Sequence, residues 1–153
     1  MPVSFDRVAD IYDKTRGLPP HVMKKAIAAL TNELKGHKTI LDAGAGTGRY
    51  AKPLQNKGFE LVGVDVSEKM LKKANQKGVK GLILTDVCHL PFRDLSFDVT
   101  ICNSVLHLIE DWRTALKEIT RVTRHVLVST VYSSPNPIHQ AYDELLRLSL
   151  IHI

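Results

Sequence analysis

Cysteine is scarce in this chain. Cys88 and Cys102 are the only two in 153 residues, and no C-x-x-C pair exists. That excludes a disulfide-stapled scaffold and a thiolate metal site, and it reads as two buried free thiols in a reducing compartment. No run approaches the ~18 apolar residues of a membrane span, so no membrane partner is expected. The opening Met1-Pro2-Val3-Ser4-Phe5-Asp6-Arg7 lacks the apolar core of a signal peptide, and the expectation is a cytoplasmic protein. Lys and Arg exceed Asp and Glu by 21 to 16, but Lys24-Lys25, Lys72-Lys73, Arg121 and Arg124 never gather into a dense run. A solvated mixed surface follows, and a nucleic-acid partner is not indicated. Internal repeats, low-complexity segments and linkers are also missing. One domain over residues 1–153 is expected, with N-terminal helices up to residue 36 and an α/β core from 37 onward.

What is present centres on Thr39-Ile40-Leu41-Asp42-Ala43-Gly44-Ala45-Gly46-Thr47-Gly48-Arg49-Tyr50. A short apolar run ends in an acid, and three glycines follow at alternate positions. This pattern predicts a buried strand turning into a helix, with a loop whose missing Cβ atoms let a ligand lie against the backbone. A dinucleotide fingerprint would need a third glycine at position 49, where Arg49 stands, and no phosphate-binding G-x-x-x-x-G-K-[ST] occurs. Asp42 would repel a pyrophosphate and suit a cationic ligand.

The rest of the chain alternates. Phe5, Val8, Ala9 and Tyr12 fall at helical spacing within Ser4 to Arg16. After Gly17-Leu18-Pro19-Pro20 comes a helical stripe of Val22, Met23, Ala26, Ile27, Leu30 and Leu34 ending at Gly36, with Pro20 placed to open the helix. A helix is expected from about Thr47 to Asn56, bent or shortened by Pro53. A second strand, Glu60–Asp65, ends in an acid 21 residues after Gly44, the distance at which doubly wound folds place a carboxylate on ribose hydroxyls. Ser67 is the better cap for the next helix, to Lys77, which leaves Asp65 for a ligand. Met70, Leu71 and Ala74 face inward along it. A third strand over Gly81–Asp86 and a nearly apolar fourth over Phe97–Asn103 follow. Asp111 caps a helix with a core stripe of Trp112, Ala115, Leu116, Ile119 and Val122, and a fifth strand spans His125–Val131. A last helix carries Ile138, Ala141, Tyr142, Leu145 and Leu146. Five strands alternating with helices imply an α/β fold, a Rossmann-like doubly wound parallel sheet in the order 3-2-1-4-5 with helices on both faces.

Asp42-Ala43-Gly44-Ala45-Gly46-Thr47-Gly48 resembles the D-x-G-x-G-x-G loop of class I S-adenosylmethionine-dependent methyltransferases. Phe5-Asp6-Arg7-Val8-Ala9-Asp10-Ile11-Tyr12-Asp13 resembles the F-D-x-x-A-x-x-Y-D opening of small-molecule members, and Leu90-Pro91-Phe92-Arg93-Asp94 their L-P-F-x-D loop. The resemblance implies S-adenosylmethionine as cofactor, S-adenosylhomocysteine as product, and methyl transfer to an oxygen or nitrogen of a small-molecule acceptor. It further implies that Gly44, Ala45, Gly46 and Gly48 shape the methionine and ribose site, with Asp42 near the ammonium and Tyr12 over the methionine end. By the same resemblance Asp65 holds the ribose, with Val66 and Met70 beside it. Asp86 and Val87 take the adenine, and Asn103 to Leu106 faces the sulfonium and acceptor. His107 is the one nearby side chain suited to a general base. A lone histidine after a strand is more often structural, so no catalytic residue is assigned.

The family's full sheet has seven strands, the last two forming an antiparallel hairpin. Here the sequence stops at Ile151-His152-Ile153, with apolar Leu148, Leu150, Ile151 and Ile153 near its end. The expectation is a truncated chain lacking that hairpin, or one completed by a second copy or a partner subunit. Two rival readings are a cofactor-binding inactive subunit that needs a partner and a tRNA methyltransferase. A nicotinamide dehydrogenase is disfavoured by Arg49.

Overall fold

The computed structural model of the protein describes residues 4–130. Val131, the expected last helix and the apolar C-terminal stretch lie outside the described residues.

Five strands, β1 (Thr39–Ala43), β2 (Glu60–Asp65), β3 (Leu82–Leu84), β4 (Phe97–Asn103) and β5 (Thr123–Thr130), form one parallel sheet in the order β3-β2-β1-β4-β5. The expected order is the one observed. Each parallel pair needs a crossover, and helices α2 (Pro20–Glu33), α3 (Ala51–Asn56), α4 (Glu68–Gln76) and α5 (Trp112–Val122) line the two faces. Leu30, Leu54 and Ala74, from α2, α3 and α4, pack with Ile40, Leu61 and Val99 on one side. Ala115, Ile119 and Val122 of α5 pack with Leu41, Ala43 and Val64 on the other. Consecutive residues of β1 thus serve opposite cores, as pleating demands, and the strand is buried through Ala43.

Ser67 caps α4 as expected, its Oγ accepting from Met70 N at 3.2 Å, and Asp111 caps α5 by accepting from Thr114 N at 3.1 Å. Four boundaries differ from the sequence reading. Ser4 to Arg16 is not one helix: successive turns (Val8 N to Phe5 O and Ile11 N to Val8 O, both 3.0 Å) lead into a short α1, Tyr12–Arg16. Its aspartates Asp6, Asp10 and Asp13 bond to the glycine loop and α4, which favours turns over a continued helix. The helix after the glycine loop starts at Ala51 rather than Thr47, which puts Pro53 in its first turn, where a missing N–H costs no bond. β3 is three residues long because Gly81 turns before it and Asp86 turns after it, its Oδ1 accepting from Cys88 N at 2.9 Å. β5 begins two residues early, at Thr123, whose buried Oγ1 bonds Ile119 O and Thr100 Oγ1, both at 2.6 Å. Trp112 is not part of the buried stripe of α5; it is half-buried, with the Arg113 guanidinium 4.3 Å from its ring centre. Cys102 is buried and Cys88 half-buried; both are free, with burial pushing the thiols up to about 12 and about 11. Neither is a reactive thiolate.

Candidate cofactor and acceptor cleft

The cleft lies at the carboxyl ends of the strands, beside the point where the order reverses between β1 and β4. β1 delivers the glycine loop, β2 delivers Asp65 and Val66, β4 delivers Asn103, and α1 with its preceding turns roofs the opening. A narrow cavity of about 90 Å³ is lined by Tyr12, Gly44, Gly46, Asp65, Val66, Met70, Asp86, Val87 and Asn103, together with Phe5 and Ser104. It continues into a wider one of about 400 Å³, reached by Ala45, Thr47, Arg49 and His107. Of the residues singled out in the sequence, the structure therefore gathers Tyr12, Gly44, Ala45, Gly46, Asp65, Val66, Met70, Asp86, Val87, Asn103 and His107 around one cleft.

Two do not line it. Gly48, at φ 72°, turns its missing Cβ toward α4, where an added carbon would stand 2.6 Å from Val79 Cγ2 and 3.1 Å from Ala74 Cβ. Its role is close packing. Gly46 is the opposite case: at φ 54° it has nothing within 4 Å of a Cβ, so its bare backbone faces open space that a ligand can occupy. Asp42 is the second departure. It lies behind the loop, 2% exposed, and Oδ2 has no hydrogen-bond partner among the described residues. Burial, reinforced by the Asp65 carboxylate, pushes its carboxyl up to about 7.

Asp65 is fixed from both sides, its Oδ2 accepting from Gly46 N and its Oδ1 from Ser67 N, each at 2.8 Å. Burial raises its carboxyl above the ordinary value, against the opposing pull of the Ser67, Gly46 and Val66 amides. A carboxylate has about four lone-pair sites, so two backbone donors leave capacity for ligand hydroxyls. The roof is tied down by acids: Asp6 accepts from Ser67 Oγ, and Asp13 accepts from Thr47 Oγ1 at 2.6 Å and pairs with Lys77. Phe5 and Tyr12 meet edge to face, 5.8 Å between ring centres, and present an apolar underside. Two features of the cleft go beyond the sequence reading. Ser104 follows β4 in a left-handed conformation, φ 57°, which is strain of the kind held at functional sites. Arg49 projects from the end of the glycine loop and lies 5.3 Å from the Tyr12 ring centre. A cation directly after a glycine loop was the available signal. Among the described residues no cluster of His, Cys, Asp and Glu is placed to hold a metal ion, and no helix is long and apolar enough to cross a membrane.

Strand-end acids, open glycine backbone and an aromatic roof fit a nucleoside with a charged amino-acid tail, the chemistry of S-adenosylmethionine. The sequence signature of the methyltransferase domain matches residues 41–126, and the chain belongs to the class I S-adenosylmethionine-dependent methyltransferase family. It is similar to the malonyl-[acyl-carrier protein] O-methyltransferase of Hamiltonella defensa, at 33% identity over 147 residues, covering 93% of this chain and 56% of that protein. It is also similar to the demethylmenaquinone methyltransferase of Corynebacterium efficiens, at 30% identity over 152 residues, covering 97% and 66%. A solved methyltransferase structure from Thermotoga maritima superposes with a TM-score of 0.73 at 25% identity, covering 92% of this chain and 66% of that one. The chain thus spans between about half and two thirds the length of these relatives.

Proposed function

We propose that the chain transfers a methyl group from S-adenosylmethionine to an oxygen or nitrogen of a small-molecule acceptor. The observation that carries this reading is the convergence of Asp65, Asp86, the open Gly46 backbone and Asn103 on one roofed cleft at the strand ends. Similarity to a malonyl-[acyl-carrier protein] O-methyltransferase and a demethylmenaquinone methyltransferase supports the acceptor class. Asp65 would accept from the ribose hydroxyls, with Val66 and Met70 along the nucleoside. Asp86 and the Val87 amide would take the adenine edge. Gly44, Ala45 and Gly46 would let the methionine end lie along the loop, beneath Tyr12. Bound there, the cofactor supplies an activated methyl on a sulfonium. The protein's part is then to hold acceptor and methyl in line and to exclude water under the Phe5–Tyr12 roof. An acceptor that enters as an anion, such as a carboxylate, has no proton to lose on methylation and needs no general base, and His107 is given no catalytic role. Four cations among the described residues are held in acid pairs: Lys73 with Asp10, Lys77 with Asp13, Arg121 with Asp94 and Glu118, and Arg124 with Asp98.

Calorimetric titration with S-adenosylhomocysteine tests the reading. The expected result is micromolar binding by the intact chain and at least tenfold weaker binding by Asp65→Asn, which keeps one side-chain oxygen to accept from a backbone amide. A folded protein that does not bind would sink it.

A further inference from the structure

The segment that roofs the cleft, residues 4–16, is attached with little apolar packing. Ala9, 4% exposed, is its one buried side chain, and α1 contributes none. Phe5 and Tyr12 line both cavities, whereas Asp6, Asp10 and Asp13 line neither and reach toward α4 instead. At the start of α4, Asp6 accepts from Ser67 Oγ and, at 3.2 Å, from Lys69 N. Further along, Asp10 pairs with Lys73 at 2.6 Å. At the C-cap Asp13 pairs with Lys77, whose Nζ also donates to Thr47 O of the glycine loop at 2.9 Å. From Lys69 to Lys77 these contacts span about 12 Å of helix, at 1.5 Å per residue. Hydrogen bonds from Ser67 and Lys73 hold the Asp6 and Asp10 carboxyls below the ordinary carboxylate range, so both are charged at neutral pH.

Segments held by few apolar contacts open locally before the rest of a fold does. Exposed ion pairs are individually weak and weaken further as salt screens them. The extended Gly17–Pro19 link joins the segment to α2 and gives it a place to turn. We propose that residues 4–16 are a lid latched to α4 by Asp6, Asp10 and Asp13. A ligand enters and leaves the cleft when this latch lets go, and salt concentration sets the rate of exchange. The proposal rests on the reading of the cleft as a cofactor site. Every latch contact joins protein to protein, so loosening it speeds entry and exit alike and leaves the affinity almost unchanged. A contact that held the ligand itself would change exit and leave entry alone.

The test measures association and dissociation rates of S-adenosylhomocysteine on the immobilised full chain by surface plasmon resonance. This ligand is a zwitterion without net charge, so salt acts on the latch and not on long-range attraction. Raising sodium chloride from about 50 to about 500 mM is expected to increase both wild-type rates roughly threefold or more, with the dissociation constant within about twofold. Asp10→Asn and Lys73→Gln alter side chains outside both cavities. In low salt each is expected to raise both rates by roughly the same factor, and the double variant no further, since all three lose one and the same pair. Asp10→Asn alone carries the comparison should the lysine variant fail to fold. Faster exit with unchanged entry overturns the lid, because the acids would then be supporting the ligand site. Rates indifferent to salt and to both variants overturn it as well, and either result leaves the cofactor reading standing. Folded wild-type protein that binds no S-adenosylhomocysteine at either salt concentration overturns both.

Discussion

At the scale of single residues, Asp42 ties a sequence motif to the stability of the whole chain. The carboxyl is sealed behind the glycine loop at 2% exposure with its ordinary value raised to about 7. In the unfolded chain it titrates near 3.8. Between those values the folded state holds a proton that the unfolded state has released, so unfolding free energy falls as pH rises. At about 1.4 kcal/mol per unit, Asp42 would cost the fold roughly 4 kcal/mol by pH 8, and almost nothing below about pH 3. Asp42→Asn, which mimics the protonated form, is expected to match wild type near pH 3 and to exceed it by about 4 kcal/mol at pH 8. Urea unfolding across that range measures this. Parallel pH profiles for the two proteins would show that Asp42 ionises normally where it sits. The motif made Asp42 legible as an acid at a ligand loop. Its placement behind the loop was not legible, because sequence spacing does not say which side of a turn a carboxylate occupies.

At the scale of elements, the clearest dependence is that of the Leu90–Asp94 loop on α5. Arg121 donates from Nη1 to Phe92 O at 2.8 Å and Asp94 Oδ1 at 2.9 Å, and from Nη2 to Leu90 O at 3.1 Å. Glu118 holds the guanidinium at Nε and Nη2, each 2.8 Å, and accepts from Leu90 N at 3.0 Å. Glu118 and Asp94 hold the guanidinium well above its ordinary value, so it is always charged. A lysine has neither the planar fork nor the number of donors to replace these bonds. Arg121→Lys is expected to cost about 2 kcal/mol in urea unfolding, the range for losing charge-assisted bonds and leaving carbonyls unpaired. A change below about 0.5 kcal/mol would mean that the loop holds itself. The loop resembled a family motif in the sequence, while Arg121 read only as one scattered cation. The contact spans about thirty positions, and one sequence carries no record of such pairings. Local chemistry was better recorded: the caps Ser67 and Asp111 and the helix opening at Pro20 stood where the pattern put them.

At the scale of the whole molecule, alternating apolar runs and helical stripes were enough for the strand order, since right-handed crossovers leave few ways to arrange five parallel strands. The cleft then follows from topology, because the strand ends on both sides of the reversal open toward the same space. Its wall is drawn from Phe5 to Ile109, and every strand except β5 lies next to or contributes to it. A ligand that bridges elements so distant in sequence binds the native state and not the unfolded one, so it should raise the unfolding temperature of the chain as a unit. At a hundredfold excess over its dissociation constant, S-adenosylhomocysteine would add about 2.7 kcal/mol. For a chain of this size that corresponds to roughly 5–10 °C. NAD at the same concentration should leave the temperature unchanged, since Arg49 occupies the position of the third fingerprint glycine and the acids Asp65 and Asp86 line the adjoining cavity. Differential scanning fluorimetry of the 153-residue chain with each ligand decides between them. A shift with NAD and none with S-adenosylhomocysteine would mean that the cleft recognises a pyrophosphate after all.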